Sequence, residues 1–89
     1  MRVEITFDPA KDEANRSKHG LSLAEAAAFE MSRAIVERDD RCDDGEARYR
    51  TFGRVDGKAR CLVFTVRANA VSAISYRRAH EKEMRRYGL

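Results

Sequence analysis

Two turn signals in the second half of the chain place the strongest constraint on its fold. Asp56-Gly57 is typical of two-residue hairpin turns, and it joins an alternating segment, Ala47 to Val55, to the most apolar segment, Arg60 to Arg67. A second turn at Ala68-Asn69 leads into another apolar segment, Val71 to Tyr76. The pattern predicts three consecutive strands of a mainly antiparallel sheet, with 60–67 as the central strand.

The N-terminal segment predicts a strand followed by a short helix. Arg2 to Phe7 alternates between polar and apolar residues, as a strand with one buried face does. Asp8-Pro9 supplies an N-cap followed by proline at the first helical position, and Gly20 is typical of the residue just past a helix end. We therefore expect this helix to end at about Lys18 or His19.

A second helix follows directly, and a third closes the chain. Ser22 and Glu25 fit a capping box, so they predict the start of a helix. Its apolar stripe is Leu23, Ala24, Ala27, Ala28 and Met31. The C-terminal segment has a stripe of helical spacing that can face the sheet, namely Tyr76, His80, Met84 and Tyr87.

A short apolar segment, Ala34 to Glu37, adds one more predicted strand. The element order is then β-α-α-β-β-β-β-α, which indicates an α+β domain with a small antiparallel sheet, two N-terminal helices and a C-terminal helix. The 89 residues, of which 43% are hydrophobic, predict a single domain over residues 1–89. A domain this small is only marginally stable alone, so a permanent protein partner would help it.

The positive charge of the chain is concentrated near its C-terminus. Between Arg77 and Arg86 there are five basic residues and two acidic ones, whereas the rest of the chain has 13 of each. This local excess accounts for the whole net charge of +3. It indicates a polyanion, or an acidic protein, as a binding partner.

Cysteine usage and hydropathy favour a cytoplasmic protein, and we expect it to have no cofactor. Cys42 and Cys61 form no disulfide framework, so we expect two reduced thiols. The N-terminus lacks an apolar signal core, and no stretch approaches the roughly 20 apolar residues of a membrane span. The acidic loop from Asp39 to Asp44 could bind a divalent cation, but its spacing matches no EF-hand and Arg41 interrupts it. We expect a solvated loop and no metal.

Arginines near the ends of predicted strands are the main candidates for chemistry. Arg67 ends the central strand, and Arg77 and Arg78 follow the last one, so they could converge at one edge of the sheet. Guanidinium groups bind phosphate oxygens bidentately but stay protonated. If the bound polyanion were RNA, its cleavage would also need proton transfer by another group. The candidates for this role are Lys18, His19, Glu46 or a tyrosine.

Each candidate also has a purely structural interpretation. Lys18 and His19 could complement the dipole at a helix C-terminus. Glu46 and Arg48 could form an exposed pair of little energetic value. The arginines at 77 and 78 could be solvated, and His80, on the predicted apolar stripe, is expected to be packed.

Five ordered segments form a recognisable set. Phe7 to Ala26 (FDPAKDEANRSKHGLSLAEA) has an aromatic-Asp pair, then a lysine, an asparagine and K-H-G. The others are a G-E-x-R segment, an apolar strand ending in arginine, an I-S-x-R-x-A segment and an E-x-x-x-Y helix, at Gly45 to Gly53, Leu62 to Arg67, Ile74 to Ala79 and Glu81 to Tyr87. Together they resemble the BrnT family of ribonuclease toxins from about Phe7 to Tyr87.

The resemblance implies a RelE-like fold and a metal-independent endoribonuclease toxin of a type II toxin–antitoxin system. RNA would be the substrate, and its cleavage would arrest growth. A BrnA-type antitoxin would neutralise the toxin in a heterotetramer with two toxins, and operator DNA would be bound through the antitoxin alone.

By position, the resemblance also implies a set of site residues. The expected catalytic residues are Lys18, His19, Glu46, Arg67 and Arg77. The expected substrate-binding residues are Arg48, Ser75 and Arg78. The arginines would bind the phosphate, Lys18 or His19 would transfer protons, and Glu46 would orient a cation or act as a base.

Two positions depart from the family pattern, and two other functions stay open. Phe7 replaces a common tryptophan, and Tyr76 replaces a common alanine, where it could pack on the helix stripe or stack on a base. A non-catalytic module that binds protein or RNA is the main alternative function. DNA binding by the chain itself is less favoured, because nothing resembles a helix-turn-helix.

Overall fold

The computed structural model of the chain describes residues 4–29, 34–39 and 47–89. Its elements are β1 (Ile5–Thr6), α1 (Pro9–His19), a 3₁₀ helix (Leu23–Ala28), β2 (Ile35–Asp39), β3 (Arg48–Val55), β4 (Lys58–Arg67), β5 (Ala70–Arg78) and α2 (Glu81–Arg86). No helix within these ranges is long and apolar enough to cross a membrane. The predicted loop residues 40–44, with Cys42, lie outside the described residues.

The five strands form one mixed sheet in the order β1-β5-β4-β3-β2. The strand β1 runs parallel to β5, and the other pairs are antiparallel, so the prediction of a mainly antiparallel sheet with a central β4 is confirmed. Both predicted hairpin turns are present. Asp56 and Gly57 have φ of 51° and 76°, and Ala68 and Asn69 have φ of 51° and 63°, as a type I′ turn requires at both central positions.

The two faces of the sheet carry different layers. Side chains alternate along a strand, so Leu62 of β4 packs into the larger core, which α1 and the 3₁₀ helix cover. Cys61 points to the opposite face, where it packs with Phe52 and with Met84 of α2. We call these the first face and the second face.

The predicted ends of α1 are confirmed. Asp8 caps the helix, since its Oδ1 accepts a hydrogen bond of 2.8 Å from the backbone N–H of Ala10. Gly20 has φ of 71° and donates its N–H to the carbonyl of Arg16 at 2.9 Å. A left-handed residue at this position suits glycine, which has no Cβ to clash.

The second predicted helix is shorter and tighter than the sequence indicates. The capping box is present, because Ser22 accepts from the N–H of Ala24 and its own N–H donates to Glu25. The segment is a 3₁₀ helix, however, and it ends before Phe29, whose backbone is extended. Phe29 lies over Gly53, where a Cβ would come within 2.8 Å of its ring. The predicted stripe residue Met31 is outside the described residues.

The predicted C-terminal helix begins too early in the chain. Pairing between β4 and β5 continues to Arg78, so Tyr76 belongs to the strand. It is buried in the first-face core, where its ring packs edge-on against Phe29 at 6.5 Å between centroids. The helix starts only at Glu81. His80 is its N-cap and is exposed, so the prediction of a packed histidine was wrong.

The two outer strands also differ from their predicted bounds. In the described part of the N-terminal segment the strand is limited to Ile5–Thr6, and it pairs with Val71 and Ser72. The strand β2 continues past Glu37 to Asp39, whose side chain is buried.

A buried asparagine joins α1 to the edge of β5. The Nδ2 of Asn15 donates to the carbonyls of Leu21 and Tyr76, both at 2.8 Å, and its Oδ1 accepts from the N–H of Tyr76 at 3.0 Å. The carboxamide therefore pairs with Tyr76 as a neighbouring strand would, beyond the point where β1 ends. This bond pattern places the C-terminal end of α1 beside β5.

Replacing Asn15 with aspartate tests how much these three hydrogen bonds stabilise the fold. A carboxylate can still accept from Tyr76, but it cannot donate to the two carbonyls. Since each buried polar group left unsatisfied costs about 1–3 kcal/mol, we expect the free energy of unfolding in urea to fall by roughly 3 kcal/mol. Asn69→Asp, in the exposed β4–β5 turn, is the matched control and should cost less than about 0.5 kcal/mol. Equal effects of the two changes would contradict a stabilising role for the hydrogen bonds of Asn15.

Candidate functional site

A cavity lies where the C-terminal end of α1 meets β5. It has a volume of about 230 Å³, and its polar lining comes from Lys11, Asn15, Lys18, His19 and Ser75. Three of the predicted site residues, Lys18, His19 and Ser75, are therefore brought together. Ser75 follows Ile74, at which the β4–β5 register shifts by one residue.

His19 contributes the imidazole of this cavity. Partial burial lowers its pKa below the ordinary value of 6.5, and the nearby charges of Lys18 and Arg77 lower it further. All three effects disfavour the imidazolium. His19 is therefore neutral at pH 7, and one ring nitrogen can accept a proton.

Arg78 joins the same end of α1. Its NH1 donates to the backbone carbonyl of His19 at 3.1 Å. This carbonyl belongs to the last turn of the helix, where cations are favoured by the helix dipole. Arg78 thus connects the end of β5 to the residue that lines the cavity.

Arg77 is held by an ion pair that the sequence did not reveal. Its two terminal nitrogens contact the two carboxylate oxygens of Glu83, each at 3.0 Å, and NH1 also donates to the carbonyl of Arg78. The bond with Arg77, with smaller contributions from the N–H and charge of His80, lowers the pKa of Glu83 to about 2, although partial burial opposes this. The two side chains are 30% and 24% exposed, so solvent still reaches the guanidinium.

The other predicted arginines do not join this cluster. By register Arg67 and Arg77 share the second face, but Arg67 pairs with Ala70 beside the turn while Arg77 pairs with Cys61. Cys61 and Arg67 are six positions apart along β4, which is about 20 Å along a strand. These arginines therefore do not converge at one edge of the sheet, because a hairpin places the residues next to its turn far from those at its open end.

Arg48 also lies at the distant end, and Glu46 cannot be placed. Arg48 pairs in register with Asp39 at the start of β3. Glu46 is outside the described residues, so its predicted role stays a prediction. Within the described ranges no group of three or more His, Cys, Asp or Glu side chains could hold a metal ion.

A network of side chains that the sequence did not predict lies on the second face, between Arg77 at one end and Arg48 and Arg67 at the other. The hydroxyl of Tyr87 donates to Glu37 at 2.7 Å, and Arg50 contacts the same carboxylate oxygen at 3.2 Å. The bond from Tyr87, followed by the bond and charge of Arg50, lowers the pKa of Glu37 despite some desolvation. The ring of Tyr87 stacks on Phe52 at 4.9 Å between centroids. These contacts fix α2 on the sheet.

The environment of His19 predicts its titration. We expect an NMR titration of its ring protons to give a pKa below 6.5. Lys18→Gln removes a like charge, so it should raise the pKa of His19 toward 6.5. Lys82→Gln, on α2, makes the same change in net charge and should leave the pKa of His19 unchanged. A value at or above 6.5 in the native chain would be inconsistent with this environment.

The Arg77–Glu83 pair predicts a pH dependence of stability. The folded pKa of Glu83 is about 2, below its ordinary 4.5. Its contribution is therefore present above pH 4.5 and is lost as the pH falls toward about 2. In urea denaturation, Glu83→Gln should lower the free energy of unfolding at pH 7 and bring it closer to the native value near pH 2. Glu81→Gln, which removes a more exposed pair with Arg54, should have a smaller effect. If the loss for Glu83→Gln did not depend on pH, the pair would not stabilise the fold.

Comparisons with known proteins identify the family. The family model of the ribonuclease toxin BrnT of type II toxin–antitoxin systems matches residues 7–83. No curated protein matches the chain. Among solved structures, the 1.1 Å crystal structure of the Brucella abortus ribonuclease toxin BrnT superposes with a TM-score of 0.69 at 28% identity, covering 88% of this chain and 97% of that one. The chain belongs to the BrnT family of ribonuclease toxins of type II toxin–antitoxin systems.

Proposed function

We propose that this protein is a metal-independent endoribonuclease whose active site is the cavity between α1 and β5. The observation that carries the proposal is the position of His19 in this cavity, where burial and the charges of Lys18 and Arg77 lower its pKa. A neutral base beside fixed cations is what attack by a ribose 2′-hydroxyl on the adjacent phosphate requires.

The proposed chemistry uses the chain's own side chains. His19 accepts the proton of the 2′-hydroxyl, and the 2′-oxygen attacks phosphorus. The bond from phosphorus to the 5′-oxygen then breaks, and Lys18 donates a proton to the departing oxygen. The products are a 2′,3′-cyclic phosphate and a 5′-hydroxyl. Glu46 stays a candidate base or orienting group.

The proposed reaction is metal-independent because cations of the chain itself would stabilise the phosphorane. Lys18 lines the cavity, and the charge of Arg77 is close enough to lower the pKa of His19. The ion pair with Glu83 holds Arg77 in one orientation. Preorganised charge of this kind needs no divalent ion. Ser75 and Arg78 would bind the substrate beside it, and Arg48 and Arg67, at the distant end of the second face, would contact the RNA strand further along.

The biological part of the proposal follows from the family. We propose that the toxin acts in the cytoplasm, arrests growth and is neutralised by a BrnA-type antitoxin in a heterotetramer with two toxins. Operator DNA would be bound by the antitoxin. We also expect the fold to be RelE-like.

Cleavage of total RNA in EDTA tests the proposed site. We expect the native chain to fragment RNA, and His19→Asn to lower the rate about 100-fold or more, since a general base contributes about that factor. His80→Asn is the matched control, because His80 is exposed on α2's N-cap and asparagine is a good capping residue. Arg77→Ala should also reduce cleavage.

The outcomes separate enzyme from binding module. Circular dichroism verifies that each variant is folded. Intact RNA from the folded native chain would favour the non-catalytic module. Equal cleavage by His19→Asn and His80→Asn would remove His19 from the mechanism.

A further inference from the structure

Two arginines lie side by side on neighbouring strands, on the first face of the sheet. Arg60 of β4 and Arg78 of β5 are direct register partners. Like charges directly opposite each other on neighbouring strands are destabilising. Among the described residues neither guanidinium forms an ion pair: Arg60 donates to the carbonyl of Ala59 and Arg78 to that of His19, each at 3.1 Å. The two guanidinium groups are thus held by backbone carbonyls and not by carboxylates.

A second cavity adjoins Arg60. It has a volume of about 260 Å³ and opens between the 3₁₀ helix and the β3–β4 hairpin; its lining includes Glu25, Val55, Asp56, Lys58, Arg60 and Tyr76. Burial raises the pKa of Tyr76, and the charge and hydrogen bond of Arg60 oppose this rise. The guanidinium of Arg60 therefore lies near the Tyr76 hydroxyl, on the wall of the cavity.

The arginine pair connects this cavity to the proposed active site. Arg78 is bonded to the carbonyl of His19, whose side chain lines the first cavity. Positive groups thus continue across the end of the sheet from Lys18 through Arg78 and Arg60 to Lys58. Neighbouring strands are about 4.8 Å apart, so both guanidinium groups can reach one phosphate. Guanidinium binds phosphate oxygens bidentately.

We propose that Arg60 is a substrate-binding residue, which with Arg78 binds the RNA phosphate next to the scissile one, while the cavity beside Tyr76 receives the nucleoside attached to that phosphate. This inference rests on the proposed function, since it takes His19 as the centre of cleavage. It also requires a single-stranded substrate, because a paired base cannot enter a cavity.

The lining of the second cavity favours RNA over an acidic protein segment. The carboxylates of Glu25 and Asp56 lie in the same cavity as Lys58 and Arg60. They would repel an acidic peptide there, but they can accept hydrogen bonds from the amino groups of a base. The cations at the Arg60–Arg78 pair remain for the phosphate. The division of charge thus matches a nucleotide.

Binding of an uncleavable oligonucleotide tests this inference separately from catalysis. The probe is a short single-stranded RNA with every 2′-hydroxyl methylated, measured by fluorescence polarisation over a range of salt concentrations. Arg60→Gln keeps an amide donor near Tyr76 but removes the charge. We expect its affinity to fall roughly tenfold, as loss of a charge-assisted hydrogen bond predicts. Arg60→Lys should lose less.

The double variant and a charge control sharpen the test. If the two arginines share one phosphate, Arg60→Gln with Arg78→Gln should weaken binding by less than the product of the single effects. The slope of log affinity against log salt should fall by about 0.7, the value for one phosphate of a single strand. Arg85→Gln, on α2 and hence on the second-face side, makes the same change in net charge as one substitution and should leave affinity within about twofold.

Each outcome decides. Thermal denaturation establishes that the variants are folded. The inference would be overturned if Arg60→Gln lost no more affinity for the methylated RNA than Arg85→Gln does. If Arg60→Gln weakened binding of the antitoxin but not of the RNA, the pair would belong to a protein interface. With cleavable RNA, Arg60→Gln should raise KM roughly tenfold and change kcat less than twofold. If the methylated RNA binds through Arg60 but native protein cleaves no RNA, the contact stands and the proposed catalytic function fails.

Discussion

The carboxamide of Asn15 determines where the first helix lies on the sheet. It makes three hydrogen bonds, two of them to the backbone of Tyr76 and one to the loop after the helix. The edge of β5 next to Tyr76 is thereby satisfied by a side chain, and the buried backbone groups there are paired, as buried polar groups need to be. The positions of Lys18 and His19 beside β5 follow from this one attachment, because the helix continues rigidly from Asn15 to its end.

Charge is distributed over the molecule in two distinct ways. On the second face, carboxylates are set against arginines, as in the pair of Arg77 with Glu83 and the contact of Arg50 with Glu37. There the guanidinium groups are oriented by the fold. On the first face, Arg78 is held by a backbone carbonyl, so its full charge is available to a ligand. A site that binds a polyanion and must also hold a reacting phosphate in one geometry benefits from both kinds of cation.

Local features of the fold were predictable from the sequence, whereas long-range ones were not. The cap at Asp8, the end of α1 at Gly20 and both hairpin turns depend on neighbouring residues, and all are confirmed. The motif set identified the family, which the comparisons confirm. The second helix ends early at Phe29, whose ring packs over a glycine distant in sequence. The pair of Arg77 with Glu83 crosses a strand–helix junction without any periodic spacing. The wide separation of the strand-end arginines could have been deduced, because the predicted turns already imply it.

The pairing of β1 with β5 has a consequence for how the protein reaches its active form. The hairpins of β3, β4 and β5 join segments that are close in sequence, but Ile5 pairs with Val71, far along the chain. Contacts between distant segments require closure of a long loop and form slowly, whereas local hairpins form early. The bonds of Asn15 to Tyr76 span a similar distance. We therefore expect the cavity around His19, the proposed active site, to be assembled in the last stage of folding. RNA cleavage by a newly synthesised chain would then begin only after β1 has paired with β5.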